Sequence, residues 1–406
     1  MTNTGGPPAP TRDTPPRRKR AWSTNIALVM GGILAALVMA EVAFRVLGIA
    51  YPEFGARHDE LGWAPIAGTT GTYAVEGRTL ISINAEGFRD IDHPIAKPKN
   101  TLRIATLGDS FTEGREVALH ETYWKVLEAR LGECLATSGG RSAEVLNFGV
   151  SGYGTAQEYL VLNRYVWKYA PDVVLLAVFT GNDIWNNSRA LDGHERRPFF
   201  QLRDGALTLN QPNLTSSLFG VGKLWANVQR TIFNRVRVFQ VIYQARRYVK
   251  YRSKYKDLDL FDQLNGSLDK GVYRRPEEPR WRQAWQVTEA LFAAIAVATD
   301  ENGATLWLAT LTNPIQVYPD ARVRASLMNE LAVTDLDYPD RRIARFATAN
   351  GIRHVSLLGP LRAYAETRQI NLHGGPTFAG GHWNATGHRA AGEALAAPLC
   401  AAYATP

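Results

Sequence analysis

The chain predicts a doubly wound α/β domain, and three observations carry that prediction. Short apolar runs recur between turn residues. Longer amphipathic stretches separate them. The clusters of small and polar residues that suggest chemistry begin where the first three runs stop. The runs are Leu102 to Leu107, Ala143 to Phe148, Asp172 to Phe179, Ala304 to Leu311 and His354 to Leu358. They are nearly continuous in Val, Leu and Ile instead of alternating, as parallel strands covered on both faces are. Between them, Glu121 to Leu131, Thr155 to Tyr169, Trp281 to Thr299 and Asp340 to Asn350 read as helices. In such sheets ligands gather at the carboxyl ends of the strands.

From the N-terminus, residues 1–21 read as a disordered basic tail. The first sixteen are rich in Pro, Thr and Gly, and Arg17, Arg18, Lys19 and Arg20 follow. Residues 22–49 read as a transmembrane anchor, with no charge from Ile26 to Ala40. A helix from Trp22 to Ile49 would be roughly 42 Å long, against ~30 Å of hydrocarbon. Glu41 and Arg45 stand four apart on one face and can pair near the far interface. The preceding positive charge keeps the N-terminus cytoplasmic and sends the remainder across. A cleaved signal peptide, with Val38 and Ala40 at the cleavage site, is the other reading. The apolar pattern continuing through Val42, Phe44, Val46 and Leu47 favours a retained signal-anchor. Either way, residues beyond about 50 are expected outside the cytoplasm, in the periplasm of a Gram-negative cell.

Residues 50–100, with turn signals such as Gly68-Thr-Thr-Gly and Asn84-Ala-Glu-Gly, read as an extension leading into the main domain at 101–406. An insertion at about 184–280 parts the third and fourth strands. Within it, Phe199-Phe-Gln-Leu and Ala206-Leu-Thr-Leu flank Arg203-Asp-Gly as a hairpin would. From Lys223 to Lys256 there are ten Lys or Arg residues, no acid, and interleaved aromatics. That stretch is either a basic amphipathic helix on anionic lipid or a cap whose basic face meets water. The 406 residues, 45% hydrophobic and 21% charged, suffice for a sizeable core. The net charge of +8 is concentrated in these two basic segments, and no zinc-type spacing or nucleic-acid-binding signature accompanies it. A nucleic-acid partner is therefore not expected. Cys134 and Cys400 are either two free thiols or one disulfide.

Gly108-Asp-Ser110-Phe begins where the first strand ends, so a serine would sit on a tight turn at a helix start. The second strand runs into Asn147-Phe-Gly-Val-Ser-Gly152, whose glycines let a backbone N–H approach a substrate. The third runs into Phe179-Thr-Gly-Asn182-Asp183, which supplies a side-chain amide. Near the C-terminus stands Gly381-His382-Trp-Asn-Ala-Thr-Gly-His388, with His382 as a base. Nucleophile, base and oxyanion donors are what ester chemistry requires. Asp109 and Asp183 read as turn-holding residues, and His388 as a packing or capping residue at the start of the last helix.

This ordered set resembles the SGNH/GDSL hydrolase superfamily over roughly residues 100 to 400, in its membrane-anchored bacterial type. The resemblance implies a three-layer α/β/α flavodoxin-like domain with a five-stranded parallel sheet. It implies Ser110 as nucleophile and His382 as general base, with the backbone N–H groups of Ser110 and Gly152 and the Asn182 side chain as the oxyanion hole. No metal or other cofactor is expected. The expected reaction is hydrolysis of an acyl or acetyl ester, on an envelope glycan or lipid. The same residues would serve an O-acyltransferase, and a catalytically inactive envelope scaffold is the reading from another class. One departure favours that last reading: the family's Asp two or three residues before the histidine is replaced by Gly380 and Ala379. A backbone carbonyl, or an acid from elsewhere such as Glu113 or Asp183, is then expected to orient the imidazole. In the implied topology the first and last helices share a sheet face, which makes a Cys134–Cys400 disulfide a hypothesis.

Overall fold

A computed structural model describes residues 2, 5–6, 17–210, 225, 228, 230–255, 257–265, 269–375 and 378–404. Helix α1 (Arg17–Val46) comes first. The tail expected at 1–21 lies mostly outside the described residues, but 17–21 are helical, so the basic cluster extends the apolar helix instead of preceding it. The segment Trp22–Val46 is long and apolar enough to cross a membrane, and none of it is buried against the rest of the protein. It ends three residues short of the expected Ile49 because Gly48 takes a left-handed conformation (φ +66°). The Gly48 N–H returns to Arg45 O and the Ile49 N–H to Phe44 O, which closes the last turn.

Two hairpins follow, β1 (Gly55–His58) with β2 (Gly62–Pro65) and β3 (Thr70–Tyr73) with β4 (Thr79–Ser82). Then come β5 (Thr101–Leu107), α2 (Ser110–Glu113), α3 (Tyr123–Gly139), β6 (Ser142–Asn147), α4 (Thr155–Val161) and β7 (Val173–Phe179). After β7 lie α5 (Asp183–Asn186), α6 (Arg189–Asp192), the expected hairpin β8 (Phe199–Arg203) and β9 (Ala206–Asn210), α7 (Arg237–Tyr255) and α8 (Leu260–Asn265). The chain closes with α9 (Pro279–Glu301), β10 (Thr305–Leu311), α10 (Ala321–Leu331), α11 (Tyr338–Ala349), β11 (Arg353–Ser356), α12 (Leu358–Arg368), β12 (His373–Gly375), β13 (Phe378–Trp383) and α13 (Ala385–Tyr403).

Five strands form one parallel sheet in the order β6-β5-β7-β10-β11. With β5 as the first strand this is the 2-1-3-4-5 order of a flavodoxin-like sheet, whose switch point lies between β5 and β7. Every residue of β5 and β7 is buried, and alternation along the strand divides them between two cores. Val174, Leu176 and Val178 pack with Trp285 and Phe292 of α9 and Ile343 of α11. Val173, Leu175 and Ala177 pack with Leu127 and Leu131 of α3, Leu361 of α12 and Leu395 of α13. The layers are therefore α/β/α. The strand expected at His354 to Leu358 ends at Ser356 instead: Leu357 and Leu358 are apolar because the start of α12 is buried.

Helices α3 and α13 share a face, and Cys134 and Cys400 are joined in a disulfide with Cα atoms 6.1 Å apart. The extension at 50–100 is fastened to the sheet domain along its length. Trp63 donates to Ser151 O at 3.0 Å, and Gln157 to Leu61 O at 2.7 Å. The buried Arg89 guanidinium donates to the carbonyls of Glu113, Gly114 and Val117.

Candidate active site

Strand β5 ends in a turn that only a residue without a side chain can open. A Cβ on Gly108 would lie 2.1 Å from Thr112 Oγ1. Asp109, fully buried, caps the short helix that follows by accepting the Phe111 N–H at 2.9 Å. Ser110 thus stands at the helix start, at the carboxyl end of a central strand and on the switch point. Its Oγ is 2.7 Å from His382 Nε2, across 272 residues of sequence.

His382 is carried on β13, and the residues around it explain why it is held there. His373 Nδ1 bonds Gly381 O at 2.9 Å, which ties β12 to β13. Trp383 is buried and donates to Thr312 Oγ1 at 3.2 Å. Asn384 caps α13, accepting the N–H groups of Thr386 and Gly387 at 3.0 Å each. Phe111 lies against the imidazole with ring centroids 5.0 Å apart. The other two histidines near the site serve the frame. His388 Nδ1 accepts the Tyr123 N–H at the start of α3, and burial lowers both His373 and His388 to about 3.

The group on the far side of His382 is neither a backbone carbonyl nor either expected acid. Nδ1 lies 2.7 Å from Glu76 Oε2, and the same oxygen accepts the His382 backbone N–H at 3.1 Å. A second carboxylate, Glu116 Oε1, is 3.2 Å from Nδ1. Glu113 is occupied elsewhere. It pairs with Arg115 at 2.6 Å and accepts both the Ser151 N–H, at 2.8 Å, and the Ser151 hydroxyl. Asp183 accepts the Phe179 N–H at 2.7 Å, closing the turn after β7. Both are structural.

Glu76 comes from the β3–β4 loop in the extension, 306 residues from His382. No local spacing in the sequence could have signalled it. The nearest signal is one glycine. Gly381 has φ +80°, and a Cβ on it would lie 2.7 Å from Glu76 Oε2. The side chain missing beside the histidine is room taken by the distant carboxylate. Glu116 was closer to legible, since it lies in the Glu113-Gly-Arg-Glu116 loop that follows Ser110.

Burial works against charge on His382, but the carboxylates of Glu116 and Glu76 outweigh it and raise the imidazole to about 10. Burial likewise pushes the Glu76 carboxyl upward, and His382 more than reverses this, leaving it below the ordinary range. Glu116 is raised, first by burial and then by the Glu76 charge. The environment favours an imidazolium, the species formed when the ring takes a proton from Ser110.

The remaining loops converge on the same turn. Val150 N–H donates to Gly108 O at 3.1 Å, which brings the loop of Gly149 and Gly152 against the Ser110 turn. Gly149 has no room for a side chain, since a Cβ would sit 2.5 Å from Thr112 Cβ. Gly152 lies under Trp63, with φ +79°. Asn182 Nδ2 donates to Asp109 Oδ2 at 2.9 Å, a bond that uses one of its two hydrogens. Asp109 therefore holds both the helix carrying Ser110 and the Asn182 amide.

Glu76, Glu116 and His382 offer three ligand atoms within 4.8 Å of one another. A divalent cation bound there would compete for His382 Nδ1.

No family model matches the chain, and no curated protein matches it. Among solved structures, it is similar to an alpha/beta hydrolase from a metagenome of Lake Arreo, Spain, at 17% identity and TM-score 0.38, over 74% of this chain and 95% of that one. It is similar to an acetyl xylan esterase at 13% identity and TM-score 0.37, over 73% and 99% of the two chains. The lipolytic protein of G-D-S-L family from Desulfitobacterium hafniense aligns at 13% identity and TM-score 0.34, over 73% and 98%.

Proposed function

We propose that the chain is a serine hydrolase of the SGNH/GDSL type that cleaves carboxylic esters, acyl or acetyl, with Ser110 as nucleophile, His382 as general base and Glu76 orienting the imidazole. One observation carries the reading: the Ser110 hydroxyl, both nitrogens of His382 and the Glu76 carboxylate form a hydrogen-bonded line with both links at 2.7 Å. A nucleophile, a base and a group holding the base is the arrangement that activates a hydroxyl. It also supplies the acid whose absence from the histidine loop favoured an inactive scaffold.

In the proposed reaction Ser110 Oγ attacks the ester carbonyl carbon as its proton passes to His382 Nε2. The carbonyl oxygen becomes an oxyanion received by the N–H groups of Ser110 and Gly152 and by the free hydrogen of Asn182 Nδ2. Collapse breaks the bond to the leaving alcohol, which takes the proton from Nε2 and leaves an acyl group on Ser110. A water then loses its proton to His382 as it attacks the acyl carbon, and collapse breaks the bond to Ser110 Oγ, which takes the proton back from Nε2 as the carboxylic acid leaves. Throughout, Glu76 keeps Nδ1 protonated and Nε2 aimed at the reacting atoms.

The anchor reading goes with it. Helix α1 holds the protein in the membrane with its N-terminus cytoplasmic and the sheet domain outside, periplasmic in a Gram-negative cell, where the Cys134–Cys400 bond is stable. The substrate class is an acylated envelope glycan or lipid. The test is labelling with a fluorophosphonate probe alongside turnover of p-nitrophenyl acetate. Wild type is expected to label and turn over, and Ser110→Ala to do neither. Labelling of both alike, or of neither, removes the proposal. Carriage of the acyl group to an added sugar in preference to water would convert it from hydrolysis to transfer.

A further inference from the structure

We infer that α7 is an in-plane membrane helix that docks its outward face on an anionic phospholipid leaflet, beside the point where α1 leaves the bilayer. The inference rests on the reading of α1 as a membrane span.

The start of α7 is bound to the last turns of α1. Val238 N–H donates to Glu41 Oε2 at 3.0 Å, and the Arg45 guanidinium donates to Arg235 O at 2.5 Å. Glu41 and Arg45 also pair with each other, at 2.8 Å. Whatever depth the C-terminal end of α1 takes at the membrane surface, the start of α7 shares it. A 19-residue helix then extends roughly 28 Å from that point.

Its two faces differ in what they offer. Gln240, Gln244 and Tyr251 lie along one stripe and meet the protein. Gln240 accepts the Tyr51 N–H at 2.9 Å, Gln244 donates to Ala74 O at 2.7 Å, and Tyr251 packs on Phe378. The opposite stripe is apolar and open: Ile242 and Val249 are 46% and 65% exposed. At 100° per residue Ile242, Ala245 and Val249 fall together, with Arg246 and Lys250 on one flank and Arg252 on the other. A solvated cap would show charge where these apolar side chains stand. An apolar stripe rimmed by cations is the pattern of a helix lying in the headgroup region. The stretch from Lys223 to Lys256 contains no acid to repel anionic headgroups.

The inner face reaches the residues next to the chemistry. Ala74 precedes Glu76 by two positions, and Phe378 begins the strand that carries His382. Docking of α7 would therefore hold the Ser110 site close to the bilayer surface.

Full-length protein in nanodiscs tests the inference, with an environment-sensitive fluorophore at Val249→Cys or, separately, Leu34→Cys. The disulfide keeps the native thiols from the label. The Val249 label is expected to shift to the blue and be quenched by spin-labelled lipid in discs of phosphatidylcholine with phosphatidylglycerol. Charge reversal at Arg246, Lys250 and Arg252 is expected to cut the docked population by more than about tenfold. An unshifted, unquenched Val249 label together with a quenched Leu34 label overturns the docking while the anchor stands, and leaves the face to water or a protein partner. An unquenched Leu34 label overturns the anchor and the docking with it.

Discussion

Exchanging Glu76 for glutamine isolates the residue on which the proposed mechanism turns. The amide keeps the shape of the carboxylate but removes its charge, and can present an NH2 where Nδ1–H needs an acceptor. In the serine-protease triad the equivalent change lowers kcat about 10⁴-fold, because the imidazole takes the wrong tautomer. Here the loss should be smaller, because Glu116 Oε1 remains 3.2 Å from the same nitrogen. We expect E76Q to lose on the order of 10–10³ in kcat with little change in KM, and E76Q/E116Q to approach about 10⁴. The pH profile separates orientation from charge. His382 is raised to about 10 chiefly by Glu116 and Glu76, against burial. An imidazolium cannot accept the Ser110 proton, so wild-type kcat/KM should climb as pH rises above 7 toward that value. E116Q removes the largest raising influence and should move the climb to lower pH, preserving or increasing activity at neutrality while E76Q loses it. The assay is p-nitrophenyl acetate hydrolysis between pH 5 and pH 10, with thermal melts to exclude misfolding. A folded E76Q with wild-type kcat and an unmoved profile would refute the orienting role.

Four further outcomes follow from the same geometry. Gly381→Ala forces a Cβ against Glu76 Oε2 at a left-handed position, so it should cost about 1–3 kcal/mol in stability by melting and mimic E76Q in kcat. Asn182→Ala should lower kcat about 10²–10³-fold by removing a proposed oxyanion donor, with KM nearly unchanged. Cys134→Ser/Cys400→Ser should lose about 2–4 kcal/mol in denaturant unfolding, and wild type should take up two alkyl groups by mass spectrometry only after reduction. A chelator should leave turnover intact, whereas added Zn²⁺ should inhibit by taking His382 Nδ1 between Glu76 and Glu116, and the inhibition should weaken in E116Q.

Much of the sheet was legible because burial on both faces leaves a plain trace. β7 is an apolar run and β5 is apolar apart from Thr101, Thr106 and the buried Arg103, which pairs with Glu144; the strands run into Gly108 and Gly181, where close packing excludes a side chain. Segments at the rim were harder. Leu357 and Leu358 look like strand because the first turn of α12 is as buried as a strand would be. The end of α1 was overrun because Leu47 and Ile49 are apolar, while the residue that stops the helix is Gly48 between them.

Glu76 was invisible for a different reason. Pattern reading works along the chain, and it looks for the acid within a turn of the histidine because a short loop holds two side chains together cheaply. Here the same geometry is assembled across 306 residues. That demands a rigid extension, and the contacts that make it rigid lie outside the relay itself. Arg89 holds the Glu116 loop by three carbonyls, Thr79 donates to Arg115 O at 3.2 Å, and a Cβ on Gly77 would lie 2.4 Å from Glu116 O. The hairpins at 50–100 are on this account as necessary to the proposed chemistry as the sheet. Loosening them, for instance with Thr79→Val, which removes the bond to Arg115 O, should lower kcat through His382 while the Ser110 turn keeps its fold. In the proposed mechanism the acid that orients His382 therefore comes from the segment that joins the sheet domain to α1, not from the histidine loop.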